Sequence, residues 1–152
     1  MASLRPQSLQ TYPLQRRMID KNIIDKIAFI HIKDKKVLVT LSKGKSIWYQ
    51  PGGKREEGES DEETLIRDLK EELSIDIIPS TVIYYGTFKA QAHGKSEGVI
   101  VQMTCYVADF EGKLKPANEI DRCDYFPYSR KEETSAVDHL IFDDLKNKGL
   151  IE

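Results

Sequence analysis

The chain has 152 residues, enough for one domain with a sizeable core. A formal net charge of −2 with 32% charged residues predicts no general attraction to nucleic acid or to an anionic membrane surface. No apolar run approaches membrane-spanning length and no secretory h-region stands out, so neither a membrane protein nor a disulfide-built secreted scaffold is expected. The two cysteines, Cys105 and Cys123, have no metal-ligand spacing. Cys105 lies in a strand-like run, where a buried thiol is the plainer reading. This usage fits a reducing, cytoplasmic location.

Residues 1–22 read as an N-terminal arm. The first 17 are polar, with Pro6, Pro13 and three arginines, Arg5, Arg16 and Arg17, that lack nearby acids. They show no amphipathic face, so a flexible or docked arm is expected rather than a transit peptide, and Met18 is a candidate original start. Residues 23–152 make the folded domain. Ile23 to His31 and Val37 to Leu41 are β-prone, and Asp34-Lys35-Lys36 between them suits a hairpin turn. Lys43-Gly44-Lys45 is a second turn. Ile47 to Gln50 reads as a short strand running into Pro51-Gly52-Gly53, where two glycines let the backbone turn sharply and approach a ligand.

A charged loop, Lys54 to Glu57, precedes the most informative stretch of the chain. Ser60 and Glu63 form a capping box, and Asp61, Glu62 and Glu63 put negative charge on the positive end of a helix dipole. The spacing predicts a helix from Ser60 or Asp61. Leu65, Ile66, Leu69 and Leu73 share one arc of it, and Asp68, Glu71 and Glu72 an adjoining one. Like charges at i,i+3 and i,i+4 repel, offset locally only by Arg67 and Lys70. Two readings stay open on the residues alone. One is a solvated charged face; the other is a half-buried set of oxygen ligands for Mg²⁺ or Mn²⁺.

After the helix, Val82 to Ala90 and Val99 to Phe110 read as strands joined by residues 91–98, a mixed polar stretch with two glycines that is expected to be exposed and mobile. Glu111-Gly112-Lys113 is a turn. Tyr125-Phe126 belongs to a further strand. Lys131 to Lys148 reads as a closing helix with Val137, Leu140, Ile141 and Leu145 on its apolar stripe and Gly149 at its exit. Eight aromatics, Trp48, Tyr49, Tyr84, Tyr85, Phe88, Tyr125, Phe126 and Tyr128, are available to stack on a base or to fill the core.

The segment from Gly53 to Ile75 resembles the signature of the Nudix family, G-x5-E-x7-R-E-U-x-E-E-x-G-U with U a bulky aliphatic. Gly53, Glu59, Arg67, Leu69, Glu71, Glu72 and Ile75 sit at the required offsets. Asp68 replaces the signature Glu, and Ser74 replaces the signature Gly. A long gapped motif with fixed spacing is far more specific than a lone glycine pattern. The resemblance implies an α/β fold, the Nudix α/β/α sandwich with a mixed, curved sheet between helices, and extends over residues 23–152. It implies hydrolysis of a nucleoside diphosphate linked to another group, with a small nucleotide as partner and Mg²⁺, or Mn²⁺, as cofactor. Asp68, Glu71, Glu72 and the backbone carbonyl of Gly53 inherit the metal site. Glu59 and Arg67 inherit roles in supporting and orienting it. Glu97 is the candidate for a fourth carboxylate or general base, with His93 in reserve. Many members carry a Glu-Ile pair ahead of an aromatic strand, as Glu119-Ile120 stands here, which implies that Glu119 faces the site, with a structural role as the competing reading. On the residues themselves, Arg55 or Lys54 meets a phosphate, with a plain surface loop as the competing reading. A homodimer is compatible with the family, though no feature of the chain requires one.

Because Asp is one methylene shorter than Glu, Asp68 is where the catalytic expectation is most exposed. A non-catalytic domain that binds a nucleotide or nucleotide sugar as a sensor is the alternative. A partner-binding domain with a vestigial signature is a third reading, opposed by the retention of Glu59, Arg67, Glu71 and Glu72.

Overall fold

A computed structural model describes residues 22–152; the expectations for the arm at 1–21 lie outside them. The first strand, β1 (Ile23–Ile30), is followed by β2 (Ile32–Lys33), β3 (Lys36–Ser42) and β4 (Gly52–Gly53). Helix α1 (Asp61–Leu73) comes next, then β5 (Asp76–Ile77), β6 (Ile83–Gln91), β7 (Ile100–Val107), β8 (Phe110–Glu111), β9 (Ile120–Phe126) and helix α2 (Ala136–Asn147). β4, β1, β7 and β6 form one sheet in that order, with β1 and β7 parallel and the other pairs antiparallel. β2, β3 and β9 form a second, antiparallel sheet, and β5 pairs with β8. The α/β sandwich expected of the chain is present. Among the described residues no helix is long and apolar enough to cross a membrane.

The alternation of β1 explains the layering. Ile27 and Phe29 pack with Leu65, Leu69 and Leu73 of α1, while Ala28 and Ile30 pack with Val137, Ile141, Phe142 and Leu145 of α2. Successive strand side chains point to opposite faces, so one strand serves both cores. The three α1 leucines are fully buried, each contributing about 2 kcal/mol of transfer free energy.

Three local expectations need correction. Ile47 to Gln50 is not a strand; Tyr49 and Trp48 make isolated bridges to Thr40 and Thr134. The pairing with β1 passes instead to Gly52 and Gly53, opposite Ala28 and Ile27. The closing helix is shorter than expected: a 3₁₀ turn, Tyr128–Glu133, comes first, and α2 begins after Ser135. Leu140, expected on the apolar stripe, is exposed, and Phe142 takes its place. Residues 91–98 are exposed apart from Ala92. The Gln91 side chain donates to the carbonyls of Ala92, Lys95 and Ser96 and accepts from the Gly98 N–H, which winds the segment around one amide.

Gly52 has φ +139°, and a Cβ there would stand 2.0 Å from the Ile27 carbonyl oxygen. Replacing Gly52 by Ala is therefore expected to cost about 3 kcal/mol or more, since backbone must move to make room. Urea denaturation measures it; a midpoint unchanged from the parent protein would contradict the close approach.

Candidate active site

Helix α1 carries the acidic residues, and both of its ends are held. The capping box forms as read: Glu63 N–H donates to Ser60 Oγ at 3.1 Å, and Ser60 N–H donates to Glu63 Oε1 at 2.9 Å. At the other end Ser74 takes the left-handed conformation (φ 63°) in which Gly is favoured, and its hydroxyl donates to the Lys115 carbonyl at 2.9 Å. The last carbonyls are met by the 115–118 segment. Lys115 N–H donates to Leu73, Ala117 N–H to Glu72, and the Asn118 side chain to Glu71. This seats the C-terminal turn of α1 rigidly against the strands.

Arg67 is the hub of the charged network. Its Nε and Nη2 donate to Glu59 at 2.5 and 2.8 Å, its Nη1 to Asp68 Oδ1 at 2.9 Å and Glu71 Oε1 at 3.3 Å, and its Nη2 also to the Lys54 carbonyl at 3.1 Å. Glu59 accepts further bonds from Glu56 N–H and the Thr64 hydroxyl. The Arg67 guanidinium, seconded by those donors, holds the Glu59 carboxyl down at about 2. One guanidinium thus joins the loop before α1 to two of its acids, a use that suits its planar fork of donors.

Asp68 and Glu72 are buried, 5% and 8% exposed, whereas the Glu71 side chain is 53% exposed. Burial pushes the Asp68 carboxyl up to about 6, against the pull of Arg67. Burial, with Asp68 and Glu119 nearby, pushes Glu72 up to about 8, against the Gly52 N–H and Lys26. Asp68 Oδ2 is buried without a hydrogen-bond partner and lies under Gly53, where a Cβ would meet it at 2.6 Å. This is a charge-deficient pocket of hard oxygens, and its chemistry fits a divalent cation. Among the described residues no three His, Cys, Asp or Glu side chains already stand in a coordinating arrangement. Glu71 is turned to Arg67 rather than to Glu72.

Glu72, Gly52 and Gly53 open onto a cleft of about 730 Å³, a volume usual for a small-molecule site. Lys54, Glu119, His93, Lys95, Tyr49, Gln50 and Lys26 line it as well. The structure therefore brings Gly53, Lys54, Glu72 and Glu119 together at the cleft, with Asp68 directly beneath. It leaves two expected residues out. Arg55 donates to Asp61 Oδ1 and Asp25 Oδ2, both at 2.6 Å, so its charge is spent on fastening the loop to α1 and β1 rather than on a phosphate. Glu97 is exposed and does not line the cleft; His93, from the same loop, does. Of the aromatics, Tyr49 reaches the cleft, while Trp48 and Phe126 pack on each other in the core at 4.8 Å.

Three cleft-side residues escaped the sequence reading. Lys26 lies on the α2-facing rank of β1. Gln50 is buried, donating to the Phe29 carbonyl at 3.1 Å and leaving its own Oε1 unpartnered. Asp138 is fully buried in the first turn of α2, accepts from Gln50 N–H at 3.0 Å and from the Ser135 hydroxyl, and is pushed up to about 6 by that burial. The signal for Lys26 and Asp138 was a charged residue in an otherwise apolar face, one at period two and one at helical spacing.

The chain matches the family model of the NUDIX domain over residues 25–142. No curated protein matches it. Among solved structures it is similar to the ORF135 protein of E. coli, with 26% identity and a TM-score of 0.65, over 82% of this chain and 89% of that one. It is similar in fold to a NUDIX hydrolase from Nitrosomonas europaea (15% identity, TM-score 0.66, 84% and 90% covered). The same holds for the dihydroneopterin triphosphate pyrophosphohydrolase of E. coli (17% identity, TM-score 0.62, 81% and 93% covered).

Proposed function

The chain belongs to the Nudix family of hydrolases, which act on phosphoanhydride bonds, and from that premise we propose that it is a metal-dependent pyrophosphohydrolase of a nucleoside triphosphate or a similar small nucleotide. The observation that carries the reading is the pair of buried carboxylates, Glu72 lining a cleft that Lys54 also lines and Asp68 beneath its Gly53. A pyrophosphate brought to those acids alone would be repelled. Asp68, Glu72, the Gly53 carbonyl and, once turned from Arg67, Glu71 are the groups that would hold Mg²⁺ or Mn²⁺. The bound cation supplies charge neutralisation for the pyrophosphate and a lowered pKa for water.

The chain's own residues do the rest. Arg67 holds Glu59 and Asp68 in register, so that Asp68 enters the reaction already oriented. Gly52 and Gly53 bring backbone to the cleft floor without side-chain bulk. Lys54 meets the phosphate charge. The proton released by the attacking water goes to a helix carboxylate, or to His93, one of the 91–98 residues that line the cleft; Glu97 is placed too far out to serve in this reading.

The test is turnover of a panel of nucleoside diphosphate derivatives with Mg²⁺ or Mn²⁺, followed by phosphate or nucleotide release. No turnover of any member, with binding intact, would sink the hydrolase reading in favour of a sensor. Within the same assay Asp68→Glu is expected to lower the rate. Asp68 Oδ2 already packs against Gly53, so an added methylene overfills the pocket, by roughly 1–3 kcal/mol on the usual cost of overpacking. A faster enzyme on this change would mean that the shorter carboxylate limits the site instead of fitting it.

A further inference from the structure

Ile24, Ala28 and Ile30 face the α2-side core from β1, and Lys26 stands in the same rank, opposite Met103 of β7. Its ammonium is half-buried between that apolar rank and the acids Asp138, Glu72 and Asp68, and a partly desolvated charge is costly unless something is gained from it. Burial lowers the Lys26 pKa, with Lys54 adding to the effect and Asp138, Glu72 and Asp68 opposing it through space, and no hydrogen bond from a described residue satisfies the ammonium. Its Nζ lies 5.5 Å from the centre of the Tyr49 ring.

Lys26 also lines a smaller recess of about 190 Å³ that opens beside the main cleft. Tyr49, His93, Lys95 and Met103 line both spaces, so with Lys26 they form the waist between them. Beyond the waist the walls are mainly apolar, built from Ile24, Ala92, Val101 and Val137. Apolar walls, an aromatic ring at the entrance and two cationic donors there, Lys26 and Lys95, suit a flat ring that carries a hydrogen-bond acceptor.

We propose that Lys26 is a specificity-determining residue, whose ammonium donates to an oxo group on the nucleobase seated in this recess, so that oxo-substituted bases are favoured over amino-substituted ones. The inference rests on the nucleotide reading of the cleft. An ammonium has three donors and no acceptor. It meets an oxo oxygen as a charge-assisted hydrogen bond and an amino group as donor against donor. Hydrogen bonds to charged groups are strong enough for a preference of roughly 10-fold to 100-fold.

ITP against ATP, and UTP against CTP, differ at the relevant ring position by oxo against amino. The experiment measures kcat/KM for all four with Mg²⁺ for the parent protein, Lys26→Met, Lys26→Gln and Lys26→Arg. In parallel, calorimetry measures binding of IMP, AMP, UMP and CMP without metal. In at least one pair the oxo member is expected to win by ~10-fold or more, the preference falling to near parity in Lys26→Met and Lys26→Gln and surviving in Lys26→Arg. Parity in the parent protein, or a preference that Lys26→Met leaves unchanged, overturns the proposal. So does a uniform loss across all four nucleotides, which is what mere screening of Glu72 would give. If nothing is hydrolysed but the monophosphates bind with the expected preference, the role of Lys26 stands and the hydrolase reading falls; if none binds either, both fall.

Discussion

Glu72→Gln is expected to cut turnover by at least ~10²-fold, since even residues that only support a metal ligand cost up to that much when replaced. Glu72 lines the cleft, is 8% exposed and lies beside Asp68 at the floor. Gln keeps the shape and removes the charge. Its effect on stability should have the opposite sign. A buried carboxyl whose ionisation is disfavoured weakens the metal-free fold at neutral pH, so the amide should leave the melting temperature unchanged or raised. Steady-state rates with thermal melts of the same preparations check both. Activity that survives the change would come from elsewhere, and a collapsed fold would mean that Glu72 is structural.

The metal-free protein should lose stability as pH rises from about 5 to about 8, on the order of 4 kcal/mol from linkage. Glu72, pushed up to about 8, and Asp68 and Asp138, pushed up to about 6, all favour the protonated form when folded. A group whose folded pKa is raised contributes stability that is fully present below its unfolded pKa. That contribution is lost as pH climbs through the folded value. His31, whose pKa burial lowers, acts in the opposite sense below 6.5. Glu59 governs the acid side, because its contribution disappears as pH falls from about 4.5 towards 2. Added Mg²⁺ should flatten the loss between pH 5 and 8, since binding favours the ionised carboxylates. Melting curves across that range, with EDTA and with excess Mg²⁺, make the comparison. Parallel curves would mean that the buried acids are not where the cation binds.

Much of α1 was legible before any coordinates. Capping box, leucine stripe and adjoining acids are local features, and local features are written in short-range spacing. The place of the acids beside that stripe left a solvated face and a half-buried set both open, and the fold buries Asp68 and Glu72 while leaving Glu71 exposed. Ser74 stands where the signature has Gly, and it is a left-handed cap whose hydroxyl finds Lys115, a partner 41 residues away that spacing cannot reveal. Arg55 and Lys54 looked interchangeable as phosphate ligands. Two carboxylates distant in sequence or across the loop, Asp25 and Asp61, claim one of them and leave the other at the cleft. Glu97 was the candidate and His93 the reserve, and the loop wound around the Gln91 amide reverses that order by placing His93 at the cleft.

By itself the sequence determined the family, the two-sided sandwich and the acidic helix, because each depends on periodicity or on a motif of fixed offsets. The tertiary structure alone decided which charges are free to act. It tied Arg55 away and gathered Glu59, Asp68 and Glu71 onto Arg67. It also set Lys26 and Asp138, 112 positions apart in the chain, on the same side of the sheet. The physical reason is that a charge is defined by its surroundings. Burial and partners set whether it is satisfied, and those are supplied by strands and helices far away in sequence.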